Sequence, residues 1–396
     1  LLFENVDFSA LELPAPVLKL REEVRDFLRA EIAAGSFTPH LGHTEFDADF
    51  TGKVASRGWI GMTWPRRYGG RERSYLERFV VTEEMLAAAA PCAAHWFGDR
   101  QTGPSLLRYG SERLKDQYLP AIARGECYFA LGMSEPNSGS DLASVRTRAE
   151  RVAGGWRVSG QKVWTSWAHK AHAFFVLCRT AADSGDRHEG LSQLIVELGA
   201  PGVTVRPIRF MNGRHHFNEV FLDNVFVPDD MVVGAIGEGW KQITSELALE
   251  RSGPERYMTT FPLLVELIRR LGPAPDARAQ EMVGRLTARL WTLRRMSLAI
   301  ALTLDPGPVD ESGAGRTSVD LATEAALVKD MGTFFEREIV EAARLLAAVE
   351  PTPDATDIFE RYLAETIVSS PIATIRGGTT QVLRTLIARR LLGPLK

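Results

Sequence analysis

The strings YFALGMSEPNSGSDLASVRTRAE, Tyr128–Glu150, and GWRVSGQKVWTSWAHKAH, Gly155–His172, decide how this chain is read. LGMSEPNSGSD crowds small and polar residues into a turn. The exposed N–H groups and hydroxyls of such a turn suit a ring rich in hydrogen-bond acceptors. The string behind it is dense in Val, Trp and Thr and reads as a strand. Taken alone, the pair also fits a surface turn beside a core tryptophan at Trp164, so the segments on either side must arbitrate.

Upstream, VLKLREEVRDFLRAEIAAG and YLERFVVTEEMLAAAA repeat apolar residues at three and four, with breaks at WPRRYGG and RYGSERLKDQYLPAIARGE. Downstream the period changes. AFFVLCRT, LSQLIVEL, VTVRPI and HHFNEVFLDNVFVP are short runs separated by turn residues, which predicts a predominantly antiparallel β unit ending near Pro228. From GEGWKQITSELALERSG onward helices return and persist to TTQVLRTLIARRLLG. The expected fold class is α+β: an N-terminal helical domain over 1–126, a central antiparallel β domain over 127–235 and a C-terminal helical bundle over 236–396. Without βαβ alternation or a GxGxxG fingerprint, a doubly wound dinucleotide-binding sheet is excluded. The polar, Gly-rich stretch DPGPVDESGAGRTS, Asp305–Ser318, reads as a loop rather than a site.

Composition narrows the function. A chain of 396 residues exceeds one simple core, and its net charge of -3 offers no basic footprint for nucleic acid. No run approaches the roughly 20 apolar residues of a membrane span, and the opening LLFENVDFSALELP lacks a basic flank, so a soluble cytoplasmic protein is expected. Cys92, Cys127 and Cys178 share no ligand spacing, which predicts reduced, mostly buried thiols and no metal.

The Tyr128–His172 strings resemble the flavin-binding signature of the acyl-CoA dehydrogenase family. WPRRYGG, VVTEEM and RYGSERLKDQYLPAIARGE before them match family landmarks in order, as do EVFLDNVFVPDD, GEGW and GGTTQVLRTLIARRLLG after them. The resemblance covers nearly the full length. It implies FAD held between the last two domains, with an acyl thioester buried beside it. By motif position it implies that Leu131, Met133 and Ser134 line the flavin. Ser140 would touch the flavin or the substrate's phosphate-bearing arm, and Trp164, Thr165 and Ser166 would flank the isoalloxazine.

Most of the family carries the catalytic carboxylate in a Tyr-Glu-Gly-Thr string near the C-terminus. Here that string is Arg376-Gly377-Gly378-Thr379, with glycine at the glutamate position. The isovaleryl-CoA and long-chain branches place the base on an earlier helix in a Leu-Glu-Arg string, which this chain has as Leu249-Glu250-Arg251. At about 100° per residue, Trp240, Ile243, Leu247 and Glu250 share one stripe, and an acid among apolar neighbours has its pKa raised toward that of a useful base. Glu250 is the expected base and Glu246 the reserve; a solvated helix end is the plainer alternative for Glu250. Arg251 is expected to meet the substrate arm or a neighbouring acid. Gly377 leaves a backbone N–H to donate to the thioester carbonyl, while Thr379 and Gln381 open a helix whose N-terminus suits the phosphate-rich part of FAD.

The resemblance implies α,β-dehydrogenation of an acyl-CoA in lipid degradation, with electrons passed to an electron-transfer flavoprotein. Two family strings that grip the adenine half of FAD across a subunit interface are missing, with only Arg278 near the first. Two assemblies stay open: a homotetramer, or an α2β2 heterotetramer with a paralogous subunit, as in steroid-type enzymes. An acyl-CoA oxidase of the same fold is the nearest rival activity.

Overall fold

The computed structural model describes residues 12–39, 44–181, 186–305 and 321–393, without the side chains of 245–250. The helices in chain order are α1 (Ala15–Ala33), α2 (Ala48–Ser56), α3 (Tyr75–Ala87), α4 (Ala93–Phe97), α5 (Gly103–Tyr109), α6 (Glu112–Ala123), α7 (Gly239–Glu250), α8 (Phe261–Leu271), α9 (Ala277–Leu304), α10 (Ala322–Leu346), α11 (Ile358–Ser369) and α12 (Thr380–Leu392). The strands are β1 (Phe129–Gly132), β2 (Arg148–Val152), β3 (Gly155–Ser166), β4 (Ala173–Arg179), β5 (Leu191–Glu197), β6 (Val203–Arg209), β7 (His215–Pro228) and β8 (Val232–Val233). They form two compact units, one from Phe46–Glu72 and Cys92–Glu246, the other from Leu1–Glu45, Arg73–Pro91 and Leu247–Lys396.

The sheet unit runs in the order β6-β7-β3-β2-β4-β5-β8, with β1 added parallel to β4. AFFVLC on β4 is buried at every position, as a strand covered on both faces must be. β3 and β7 pair antiparallel over most of their length, and the register slips between Lys162 and Thr165. That bulge places Trp164 at φ +61°. A left-handed backbone costs a non-glycine residue about 1–2 kcal/mol, so the slip marks a position held there by its surroundings.

In the helical unit, α1 buries Val17, Leu20, Val24, Phe27 and Leu28, the three-four stripe its sequence shows. Val17 joins Leu76, Phe79 and Val80 of α3 and Leu298 and Ala301 of α9 in one apolar cluster. Glu83 of α3 pairs with Arg21 at 3.4 Å and Arg294 at 2.6 Å, and Glu84 with Arg25 at 2.9 Å, so ion pairs flank the cluster. α3 itself begins with a capping box, Ser74 and Glu77 satisfying each other's backbone N–H.

The five strands expected from sequence all form, and the β7 bounds match HHFNEVFLDNVFVP residue for residue. Three strands were not expected. β1 lies within the turn-rich signature, β2 has three charged residues in five, and β8 has two residues beyond the expected end at Pro228. Asp305, assigned to a loop, accepts hydrogen bonds from the backbone N–H of Tyr75 and Leu76 and so caps α3; 306–318 lies outside the described residues. The thiols of Cys92 and Cys178 are buried and that of Cys127 partly so, none bonded to another.

Candidate active site

In the sheet unit, β1 delivers Leu131 and leads into the signature turn. At Gly132 a Cβ would stand 2.6 Å from the Phe174 ring, so only glycine lets the strand pass there. Beyond it the chain is pinned by Lys162, 0% exposed, whose Nζ donates to the Met133 carbonyl at 3.1 Å and to Glu135 Oε1 at 2.9 Å. Glu135 accepts two further bonds, from the Arg146 N–H at 2.6 Å and the Thr147 N–H at 2.9 Å. The Val163 N–H donates to the Ser134 carbonyl at 3.0 Å, which sets Ser134 beside the strand carrying Trp164.

Burial pushes the Glu135 carboxyl up, but Lys162 and the two amides outweigh it and hold it below the usual carboxylate range. At Lys162 the balance reverses: desolvation of the wholly enclosed ammonium outweighs Glu135 and its pKa falls. The pair therefore costs at one end and stabilises at the other. What it fixes is the position of the Met133–Glu135 backbone.

Leu131, Met133, Ser134 and Ser166 are half-buried, Ser140 is exposed, and the Trp164 indole stands 56% exposed on the bulge. Thr165 is fully buried. Its carbonyl accepts from Asn218 Nδ2 at 3.0 Å, and its hydroxyl has no partner among the described residues. Asn218 Oδ1 in turn lies 3.2 Å from His169 Nδ1 and 2.7 Å from His215 Nε2, whose rings stack at 3.8 Å. Among the described residues neither histidine has a carboxylate partner. Both serve to hold the bulge.

In the helical unit, Gly377 and Gly378 have φ of +66° and +96°. The Arg251 Nε donates to the Gly377 carbonyl at 3.1 Å, and Lys329 Nζ donates to the Gly378 carbonyl at 2.9 Å. Arg251, placed by its sequence toward a substrate arm or an acid, is thus buried against this turn. Among the described residues the Gly377 N–H has no acceptor. A Cβ at Gly377 would stand 3.1 Å from Arg256 Nη1, so a guanidinium occupies the direction in which a side chain there would leave. Thr379 caps α12, its Oγ1 accepting from the Val382 N–H at 3.4 Å, and Gln381, the second residue of the helix, is exposed.

Glu250 is the last residue of α7, and Ile243 on the same stripe is buried. The side chains of Glu246, Leu247 and Glu250 lie outside the described residues. Arg278 is exposed at the start of α9. Among the described residues no cluster of His, Cys, Asp or Glu could hold a metal, and no helix is long and apolar enough to cross a membrane.

The acyl-CoA dehydrogenase N-terminal domain matches residues 17–126 and the middle domain of that family matches 130–225. IpdE1 of Mycobacterium tuberculosis, an acyl-CoA dehydrogenase, is 36% identical over 95% of this chain and 97% of its own length. The chain belongs to the acyl-CoA dehydrogenase family. FadE34 of the same organism is 35% identical over 86% of this chain, which spans 45% of that longer protein. Among solved structures, the Tcur3481-Tcur3483 steroid ACAD superposes with a TM-score of 0.80 at 27% identity, over 98% of this chain and 100% of that one. The ChsE4-ChsE5 complex from M. tuberculosis follows at 0.78 and 26%, over 98% and 99%. The matched middle domain contains the whole signature turn and the Trp164 bulge, while the Gly377 turn lies outside both matched domains.

Proposed function

We propose that this chain is an FAD-dependent acyl-CoA dehydrogenase that introduces an α,β double bond into an acyl-CoA thioester. The observation that carries the reading is the Trp164 bulge beside the pinned Met133–Glu135 backbone. An exposed indole on a left-handed backbone, flanked by the half-buried hydroxyls of Ser134 and Ser166, fits a flat ring with hydrogen-bond acceptors on its rim. When bound, FAD supplies the hydride acceptor. Leu131, Met133, Ser134, Trp164, Thr165 and Ser166 would hold it, with Ser140 reaching the cofactor or the substrate arm and Thr379 and Gln381 serving its phosphates.

Glu250 removes the proton from the α carbon, because Gly377 leaves the family's commoner position without an acid. The open N–H of Gly377 donates to the thioester oxygen as negative charge develops there. Electrons leave to an electron-transfer flavoprotein. The test is anaerobic reduction with a panel of acyl-CoAs: wild type bleaches its flavin, and Glu250→Gln keeps FAD but does not bleach. Bleaching of that variant at the wild-type rate would remove Glu250 from the mechanism.

A second reading has specific support. Two full-length structural neighbours are named as pairs of different chains, one of them a steroid ACAD. The missing adenine-binding strings favour the same arrangement, a heterotetramer with a paralogous subunit acting on a steroid-type acyl-CoA. Flavin content and elution volume of the chain expressed alone separate the two: a flavin-replete tetramer supports the homo-oligomer, a flavin-poor smaller species the heteromer.

A further inference from the structure

Lys329 sits in the middle of α10 and is 1% exposed. The buried residues of that helix mix Ala325, Ala326, Val328 and Gly332 with Asp330, Thr333 and Glu336, and Lys329 Nζ has no hydrogen bond to any of their side chains among the described contacts. Its ammonium bridges two backbone carbonyls, Ala373 at 2.9 Å and Gly378 at 2.9 Å. Ala373 belongs to the short 3-10 helix Ser370–Thr374 and has a second donor in Thr333 Oγ1 at 3.1 Å. Gly378, at φ +96°, has none among the described residues. Every described peptide bond is trans, so holding the Gly378 carbonyl also aims the Thr379 N–H in the opposite direction. Arg251 does the same for the Gly377 carbonyl and the Gly378 N–H.

We propose that Lys329 is a positioning residue for the Gly377–Thr379 turn: one buried ammonium clamps both ends of the segment 373–378 and sets the peptide plane from which α12 starts. Two consecutive glycines on the left-handed side have no side chains to restrict them, so external donors must fix the plane. The proposal rests on the reading above in giving that turn a place in catalysis.

Burial, then Arg256 and Arg376, drive the Lys329 pKa down to about 7, against the smaller opposing pull of Asp330 and Glu336. Arg251 and Glu255 also meet this turn, Arg251 through the Gly377 carbonyl and Glu255 through its own carbonyl, which accepts from Arg376 at 3.3 Å; Arg384 pairs with Asp330 at 3.1 Å. Removing the ammonium leaves the Ala373 carbonyl its bond from Thr333 but strips the Gly378 carbonyl of its donor among the described residues, so the loss is concentrated at the turn.

The experiment compares wild type, Lys329→Met and Lys329→Gln by hydrogen exchange, thermal unfolding at pH 6 and steady-state kinetics of the flavin-loaded enzyme. In Lys329→Met the amides of 374–380 should exchange roughly tenfold faster or more, with protection elsewhere in the helical unit unchanged. Lys329→Gln, which keeps a donor without the charge, should restore part of that protection. The kinetic cost should fall on kcat rather than KM, since the turn acts on developing charge. A lowered midpoint with exchange raised throughout the helical unit would make Lys329 an ordinary stabilising residue, and unchanged exchange at 374–380 would equally overturn the proposal. If wild type turns over no acyl-CoA, the functional reading fails while the exchange result still decides the role of Lys329.

Discussion

Glu135 and Lys162 show how a single ion pair can build a binding loop. Removing one partner strands the other in a dry interior, at a cost of about 3–5 kcal/mol. Glu135→Gln should therefore lower the unfolding free energy of the sheet unit by about that amount, measured by denaturant titration. The wild-type contribution has a defined pH window. The folded Glu135 pKa lies below its ordinary value, so the stabilisation is complete above that ordinary value and is lost as pH falls through the folded one. A titration of stability against pH should show this acid loss in wild type and its absence in Glu135→Gln. Gly377 supplies a second prediction. Adding Gly377→Glu to Glu250→Gln should not restore turnover, because a side chain leaving residue 377 sets out at the Arg256 guanidinium and is held there as an ionised partner. Flavin bleaching at the level of the single variant is the expected readout. Neither Glu135 nor Lys162 was singled out in the sequence, although both stand inside the two signature strings. Their pairing depends on the β1–β3 approach, which no local pattern encodes.

Among elements, α3 carries the clearest local signal and the least expected tertiary one. Ser74 and Glu77 spell a capping box that is readable three residues apart. Ser74→Ala should cost about 1 kcal/mol, seen as a lower thermal midpoint with no change in flavin content. The cap from Asp305 crosses 230 residues of chain and is invisible to any window of sequence. α10 shows the same limit. Lys329 lies on a face that buries Asp330, Thr333 and Glu336 as well as alanines and valine, so no clean apolar stripe marks it in the sequence. Strands β1 and β2 carry no strand pattern, because one is embedded in turn-forming residues and the other is charged at three of five positions, whereas β3 to β7 are dense enough in branched and aromatic residues to show themselves.

At the scale of the whole molecule, Lys329 leaves a signature on the pH dependence of stability. Between its folded pKa of about 7 and the ordinary lysine value of 10.5, the unfolded chain binds a proton that the folded chain does not. Stability must then rise with pH across that window, opposite in sign to a lysine that gains an ion pair. Chemical unfolding of wild type at several pH values should show the rise, and Lys329→Met should flatten it.

The sequence by itself determined the α+β class, the order of helical and β segments, the family resemblance and the absence of an acid at residue 377. All of these rest on residue type and period, which are local. The tertiary structure alone decided that Lys162 and Glu135 hold the signature backbone, that the Trp164 indole stands open on a bulge, and that cations from α10 and from the segment after α7 grip the Gly377–Gly378 turn. Those facts require groups far apart in the chain to share a dry interior, where an unpaired charge costs several kcal/mol and only the complete fold determines which groups meet.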